Sequence, residues 1–564
     1  MIYSTNSKPL FAMLGLVLFS CQDNRQQPSE LLIKEMNLKR GEVISCGPAD
    51  KKFGTVLFPV SSSNVVKEDF NLAVNLLHSF EYDEAEKVFA KIIDKEPSCA
   101  MAYWGIAMSN FHPLWTPPTE AELKKGEKAL EIARQAGIKT KREEGYINAI
   151  EAFYLNWQQV DHKTRCINFE KAMEKLNAAF PDDKETAVFY ALALTAAADP
   201  ADKSFARQKK AGSILNGMYP GQPDHPGIVH YIIHTYDSPE LAQLALPAAR
   251  KYASVAPSSA HALHMPSHIF TRLGYWDECI NSNRVSVESA QCYAQSAGIK
   301  GHWDEELHGL DYLVYAYLQR GENGEAKKQL DYLRTINTVT PFNFKVAYAF
   351  ASIPSRYVFE NRLWEEAAAL ESHKTDIPWE NFPWQQAMLS YTRLMGAVHL
   401  GKKDAAQAEL NNLNNLHQKL VVLKDAYKAN QVDIQVKSSE GWIRLMENKE
   451  DEALTLMTLA ADMEDKTEKH PVTPCELVPA RELLGDMYMK LNQPGKALVE
   501  YKLSLKKHPN RFNGLYGAGL AAEKSGNIEE ASTYYRQLLS FANSSSGKRP
   551  EMEYINQFLK RNKT

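Results

Sequence analysis

Near the C-terminus one pattern recurs at a spacing of 34 residues, and very few folds accept it. In residues 478–511, Gly485, Tyr488, Ala497, Tyr501 and Pro509 take places 8, 11, 20, 24 and 32 of the frame. In residues 512–545, Gly519, Gly526, Ala531 and Tyr535 take places 8, 15, 20 and 24. Small residues at 8 and 20 let two helices approach closely, and a ring at 24 fills the space between them. Proline at 32 ends the second helix, because it has no amide hydrogen and its ring clashes with the preceding turn. An earlier frame fits too. Ala73, Ala85, Phe89 and Pro97 fall at 8, 20, 24 and 32, and Ala107 is at place 8 of the frame that follows. Such a unit cannot bury its apolar face alone, so units stack into a solenoid in which each touches its neighbours.

The expected fold is therefore all-α, a superhelical solenoid of tetratricopeptide-like helix–turn–helix repeats. A chain of 564 residues is long for one core, which suits a repeat array. Helical patterns run through 146–157, 166–179 and 186–198, and helix pairs through 309–333, 347–371, 385–416 and 432–464. Thr119 with Glu122 reads as a capping box. Ser238-Pro239-Glu240 reads as a helix start, and Ser258 or Ser259 as the cap of the segment that begins at His261. Residues 44–63 read as a short extended segment, and the tail from Asn543 as loosely capped. The expected organisation is a signal at 1–20, a tether and irregular segment at 21–63 and a His-rich repeat domain at 64–330. Divergent helical repeats at 331–477 and C-terminal repeats at 478–545 follow. The net charge of -4 offers no basic face, so no nucleic-acid partner is expected.

The N-terminus carries a different message. Lys8 precedes an apolar run from Leu10 to Phe19, then Ser20 and Cys21. The run is too short to span a bilayer as a permanent helix. It resembles a bacterial lipoprotein signal, with Cys21 as the lipidated first residue, although Phe19 is bulkier than the residue usual at that place. An uncleaved anchor or an ordinary secretory signal are the alternatives. Lipidation would attach the protein to a membrane of the bacterial cell envelope, facing the periplasm or the cell surface. Export implies an oxidising compartment. The remaining cysteines are Cys46, Cys99, Cys166, Cys279, Cys292 and Cys475. They form no close pair of the thiolate-zinc type, and Cys46 with Cys99 is a candidate disulfide.

Eight of the sixteen histidines fall between His225 and His308: His225, His230, His234, His261, His264, His268, His302 and His308. His230 with His234, and His264 with His268, are four apart and so share a helix face. The two pairs are 34 residues apart, and so are His268 and His302. The spacing predicts imidazoles from successive repeats stacked on one surface. Pro266 should kink the second segment, which leaves His261 with His264 as its firmer same-face pair. His302, Glu305, His308 and Asp311 follow at spacing three along a further helix.

Five blocks carry a resemblance. They are LLHSFEYDEA from Leu76, CAMAYWGIAMS from Cys99, HPLW from His112, DHPGIVHYIIHTYDSPELA from Asp224 and HALHMPSHIFTRLG from His261. The chain resembles, over roughly residues 45 to 330, large bacterial tetratricopeptide-repeat proteins that carry such blocks. The family carries no settled activity, so the resemblance implies the fold and leaves function to the residues. His78 and His112 sit in these blocks and are also 34 apart.

The histidine pattern supports three readings. One is a metal site on the concave face built on His230, His234, His264 and His268, with His225, His261, His302, Glu305 and His308 around it. Neutral imidazole is the commonest ligand for such ions. Zinc is the first expectation for this divalent ion, with copper or iron also compatible, and hydrolysis or redox chemistry would follow from the ion held. Glu305 or Asp311 would complete the shell. The second reading makes the imidazoles interior polar groups bonded to neighbouring helices. The third is a non-enzymatic scaffold that binds a protein or peptide partner on its concave face, with Trp104, Tyr231, Tyr236 and Trp303 as anchors. No phosphate-binding loop, GxSxG or HExxH motif is present.

Overall fold

The computed structural model describes residues 1–3, 28–114, 116–373, 377–542 and 549–562. The signal segment, Cys21 and Trp115 of the HPLW block lie outside these residues. Within them the chain is an all-α superhelical solenoid of tetratricopeptide-like repeats. Helix pairs follow one another from Asn64–His78 with Tyr82–Lys95 to Phe512–Lys524 with Ile528–Phe541. Among the described residues the only strands are His302–Trp303 and Val339–Thr340, two residues each and parallel, with His302 opposite Val339.

The repeat places do what their size dictates. Ala73, Ala85, Ala497 and Ala531 are fully buried between paired helices. A methyl group built on Gly519 would lie 2.4 Å from the Tyr535 ring, and one on Gly485 would lie 2.9 Å from Tyr501. Each place-8 glycine thus leaves room for the place-24 ring of its own repeat. The Tyr82–Lys95 helix stops just before Pro97. Thr119 and Glu122 form both halves of the expected capping box, and Ser259 is the cap of the Ala260–His264 helix.

Three expectations are corrected. Ser238-Pro239-Glu240 closes a turn instead of capping a helix. The Ser238 carbonyl accepts from Leu241 and Ala242, and the helix begins at Ala242. The tail is not loose beyond residue 548. Pro550–Arg561 is a helix whose Met552, Ile555 and Phe558 are buried against Phe512, Tyr535 and Leu538. Cys46 pairs with Cys292, not Cys99, whose thiol instead lies 3.0 Å from the Ser62 hydroxyl. The pairing partner was out of reach of sequence distance, because 246 residues separate the two sulfurs along the chain.

The disulfide fastens an N-terminal strap across the repeats. Val56, Phe58 and Val60 are buried while Leu57 and Pro59 between them are exposed, an extended alternation without a sheet, and Phe53 ahead of them is also buried. Its backbone bonds go sideways instead: Phe58 N–H to Asn71 Oδ1, Thr55 N–H to the Asp224 carbonyl, and the Lys52 carbonyl from Ser258 N–H. At the other end the solenoid returns on itself. Trp276 Nε1 donates to the Asn510 carbonyl at 2.7 Å, and buried Arg511 joins Glu482, Glu360 and the Tyr315 hydroxyl. The His-rich repeats are thereby enclosed from both termini. Among the described residues no helix is long and apolar enough to cross a membrane.

Candidate metal centre

Seven of the eight clustered histidines, with His78, form three buried groups instead of one stack. His230, His234 and His261 make the first, His264, His268 and His308 the second, and His78, Glu185 and His225 the third. In each, the potential ligand atoms lie within 4.8 Å of one another. Proximity does not separate them; the placement of protons does.

The third group is a closed hydrogen-bond network. His225 is the N-cap of the Pro226–Thr235 helix, and its Nδ1 accepts from the Ile228 amide at 3.3 Å. The proton is therefore on Nε2, which donates to Glu185 Oε1 at 2.7 Å. His78 spends Nε2 on Glu185 Oε2 and Nδ1 on the Tyr231 hydroxyl, both at 2.9 Å. Burial opposes ionisation of Glu185, yet His225 and His78 hold its carboxyl below the ordinary range. Every polar atom here has a protein partner, so His225 serves as cap and core, apart from the other clustered histidines.

The first group is different. His230 Nδ1 donates to the backbone carbonyl of His78 at 2.6 Å, which leaves a bare lone pair on Nε2. That lone pair faces His234 Nε2 at 2.9 Å and His261 Nε2 at 3.1 Å. Phe80 covers the group, its ring centroid 4.4 Å from that of His230, in a backbone conformation at φ +58° that few phenylalanines adopt.

The second group is clearer still. Asn283 Nδ2 donates to the Cys279 carbonyl at 2.8 Å, which orients the amide, so Asn283 Oδ1 accepts from His264 Nδ1 at 2.7 Å. His268 Nδ1 donates to Asp237 Oδ2 at 3.0 Å. Both protons are thus held on the outer nitrogens, and two bare Nε2 lone pairs meet at 3.1 Å. The Tyr312 hydroxyl lies 3.4 Å from each nitrogen of His268, longer than a good hydroxyl hydrogen bond. The His308 ring lies against His264, centroids 4.2 Å apart. Nitrogens bound to one tetrahedral zinc at 2.0–2.1 Å would be roughly 3.3 Å apart, close to these contacts. An outer nitrogen tied to a carboxylate or carbonyl is the usual support of a metal-bound histidine.

Protonation does not relieve either group. Burial pushes the pKa values of His230, His234, His261, His264 and His308 well below the ordinary imidazole range, and neighbouring imidazoles lower them further. Burial also lowers His268, against the pull of Asp237. Asp237 is opposed by burial, but Lys469, Arg272 and His268 hold it well below the usual carboxylate range.

The remaining predicted residues stand elsewhere. His302 is in the short strand, not on the helix, and its Nδ1 bonds Glu306 at 2.8 Å. The helix starts at Asp304, so the spacing of three was carried one turn too far back. Glu305 pairs with Lys345, and Asp311 with Arg356 and Ser352. Pro266 does break the helix, into Ala260–His264 and Pro266–Leu273, yet His264 still meets His268. It is His261 that turns away, toward His230. The triad imidazoles are packed inside the helical layers, and of these six only His234 is half-buried. The supporting residues Asp237, Asn283 and the His78 carbonyl had no spacing to betray them, although His78 and Phe80 lie in the LLHSFEYDEA block.

Two cavities reach the first group and share Leu114 in their walls. One, about 220 Å³, is lined by Phe80, Glu81, Tyr82, Trp303, Glu305 and Lys345 and ends on His261. The other, about 240 Å³, ends on His234 beside Asp237, Arg272 and Lys469.

No family model and no curated protein matches the chain. Among solved structures, the chain is similar to a human IFIT1 dimer with PPP-AAAA, at 12% identity and TM-score 0.35 over 83% of this chain and 89% of that one. It is also similar to the TPR domain of P58(IPK), at 15% identity and TM-score 0.20 over 68% and 99%. A tetratricopeptide repeat protein from Parabacteroides merdae matches at 11% identity and TM-score 0.21 over 74% and 98%. Likeness at this level adds nothing on what the histidines do.

Proposed function

We propose that the protein is a repeat scaffold that binds two divalent transition-metal ions, one on His230, His234 and His261 and one on His264, His268 and His308. The observation that carries this reading is the 3.1 Å contact between His264 Nε2 and His268 Nε2, whose protons are held on Nδ1 by Asn283 and Asp237. No neutral arrangement puts a hydrogen between them, and burial opposes the charged one. A cation turns the repulsion of converging lone pairs into attraction. An all-imidazole donor set suits zinc first and copper next; iron centres more often include a carboxylate. With zinc the ion would polarise a carbonyl or activate water, and with copper it would exchange electrons. On the sequence of residues 8–21, the scaffold is held at the bacterial cell envelope by lipid on Cys21.

Metal analysis of protein purified without chelators tests the reading. The expected result is two ions per chain, falling to one in His230→Ala and to one in His268→Ala, with helix content retained. Less than about one ion per chain at neutral pH would overturn it.

A further inference from the structure

The two triads differ in one respect that decides what each ion can do. The second triad, His264, His268 and His308, is buried on all three members and lines neither cavity. The first has two members at cavity walls, His261 on one side and His234 on the other. Closed metal sites hold structure, whereas sites of three protein ligands with an open position bind and transform a ligand. Resting on the two-ion reading above, we infer that the first triad is an exchangeable, ligand-binding centre opening onto the His261 cavity, that the second is a permanent structural ion, and that the open position takes a small carboxylate-like anion.

The choice of an anion follows from charge. Three neutral imidazoles leave the ion's two positive charges uncompensated. Lys345 is shared between Glu305 in the cavity wall and buried Asp304, so the ion itself is the positive charge an anion would meet there. A negative oxygen donor is therefore favoured at the fourth position. The walls set its size and shape. About 220 Å³ accommodates a molecule of roughly ten non-hydrogen atoms, far below drug-sized pockets of ~300–1,000 Å³. Trp303 stacks on Tyr293, centroids 4.2 Å apart, and presents a fixed aromatic wall, with Tyr82 also in the lining. The His234 cavity is the less suitable mouth. It is walled chiefly by ion pairs, Asp237 with Arg272 and Lys469, Asp199 with Lys163 and Glu468 with Lys203, so an anion entering there competes with carboxylates already in place.

Cobalt(II)-loaded full-length protein tests this. With excess chelator, one cobalt should leave fast and the other only as the protein unfolds. His261→Gln should abolish the fast phase and His308→Gln the slow one. Acetohydroxamate should perturb the visible spectrum of one cobalt only. Thr116→Trp, placed in the wall of the His261 cavity, should weaken that binding by roughly tenfold or more while both ions stay bound. Ala198→Trp, in the wall of the other cavity, should leave it unchanged. Two ions that leave at one rate, or acetohydroxamate binding blocked by Ala198→Trp instead, would overturn the inference and leave the two-ion reading standing. Protein that holds no cobalt would sink the reading itself.

Discussion

Asp237→Asn is the sharpest single perturbation of the second triad. Asp237 Oδ2 accepts from His268 Nδ1 at 3.0 Å and from Lys469 Nζ at 3.2 Å, while Oδ1 accepts from Arg272 Nε at 2.8 Å. An amide keeps one acceptor and gains a donor. Arg272 can only donate, so the amide oxygen must face it and the NH2 must face His268. His268 then accepts at Nδ1 and carries its proton on Nε2, where the metal would bind. Loss of such an outer partner costs about 10–100-fold in metal affinity, or roughly 1.4–2.7 kcal/mol. Folding stability falls separately. Removing one partner from a buried ion pair costs about 3–5 kcal/mol, and the lower end applies because Arg272 keeps its bond to the Asp237 carbonyl. Lys469, already pushed down by burial to about 8, is lowered further once Asp237 is neutral.

The two effects are separable. Competition against a chromophoric chelator reads affinity, and thermal melting in excess chelator reads the fold. Lys469→Met added to Asp237→Asn removes a buried ammonium without a counter-charge, so it should recover part of the melting temperature and none of the affinity. If Asp237→Asn holds both ions at wild-type affinity, the assignment of protons in the second triad is wrong.

Further expectations follow from the same geometry. Burial lowers the pKa values of the six triad histidines in the fold, His268 against the pull of Asp237, and they titrate normally when unfolded, so the unfolded state binds more protons as pH falls below about 6.5. Metal-free protein should therefore lose stability between pH 7.5 and 5.5, by up to about 1.4 kcal/mol per histidine at pH 5.5; a flat profile in chemical denaturation would refute this. Replacing His234 and His268 together by Gln should make that slope shallower and abolish any rise in melting temperature on adding zinc. Ala497→Trp and Ala531→Trp should each cost about 1–3 kcal/mol by overpacking paired helices, read by circular dichroism during melting. Wild-type protein should partition into detergent phase and Cys21→Ser should not; equal partitioning would end the lipid-anchor proposal.

The fold was legible because it is written locally. Gly485 with Tyr501 and Gly519 with Tyr535 meet inside one repeat, so their spacing is a direct image of their contact. The site was legible only in part, because its contacts leave the period. His230 finds His261, 31 residues on, and not His264 at 34. His264 recruits His308 from the next helix pair. The solenoid period places helices, but the break at Pro266 rotates His261 away from the His264 face, and a period carries no record of that rotation. The Cys46–Cys292 strap and the Lys469–Asp237 bond span 246 and 232 residues. Such closures depend on superhelical pitch, which no single repeat encodes.

The three groups are all compact and rich in histidine, and the carboxylate that Glu185 adds to the third is not the whole of what separates them. The difference is the direction in which each backbone or side-chain partner pulls the proton. An amide at the start of a helix pulls Nδ1 of His225 into accepting and so spends Nε2 on Glu185. A carbonyl, an amide oxygen and a carboxylate pull Nδ1 of His230, His264 and His268 into donating and so release Nε2. A helix N-terminus thus spends the outer nitrogen of a histidine on accepting, and an acceptor behind the ring leaves Nε2 with a bare lone pair. His225 and His230, five positions apart on either side of Pro226, hold their protons on opposite nitrogens for that reason.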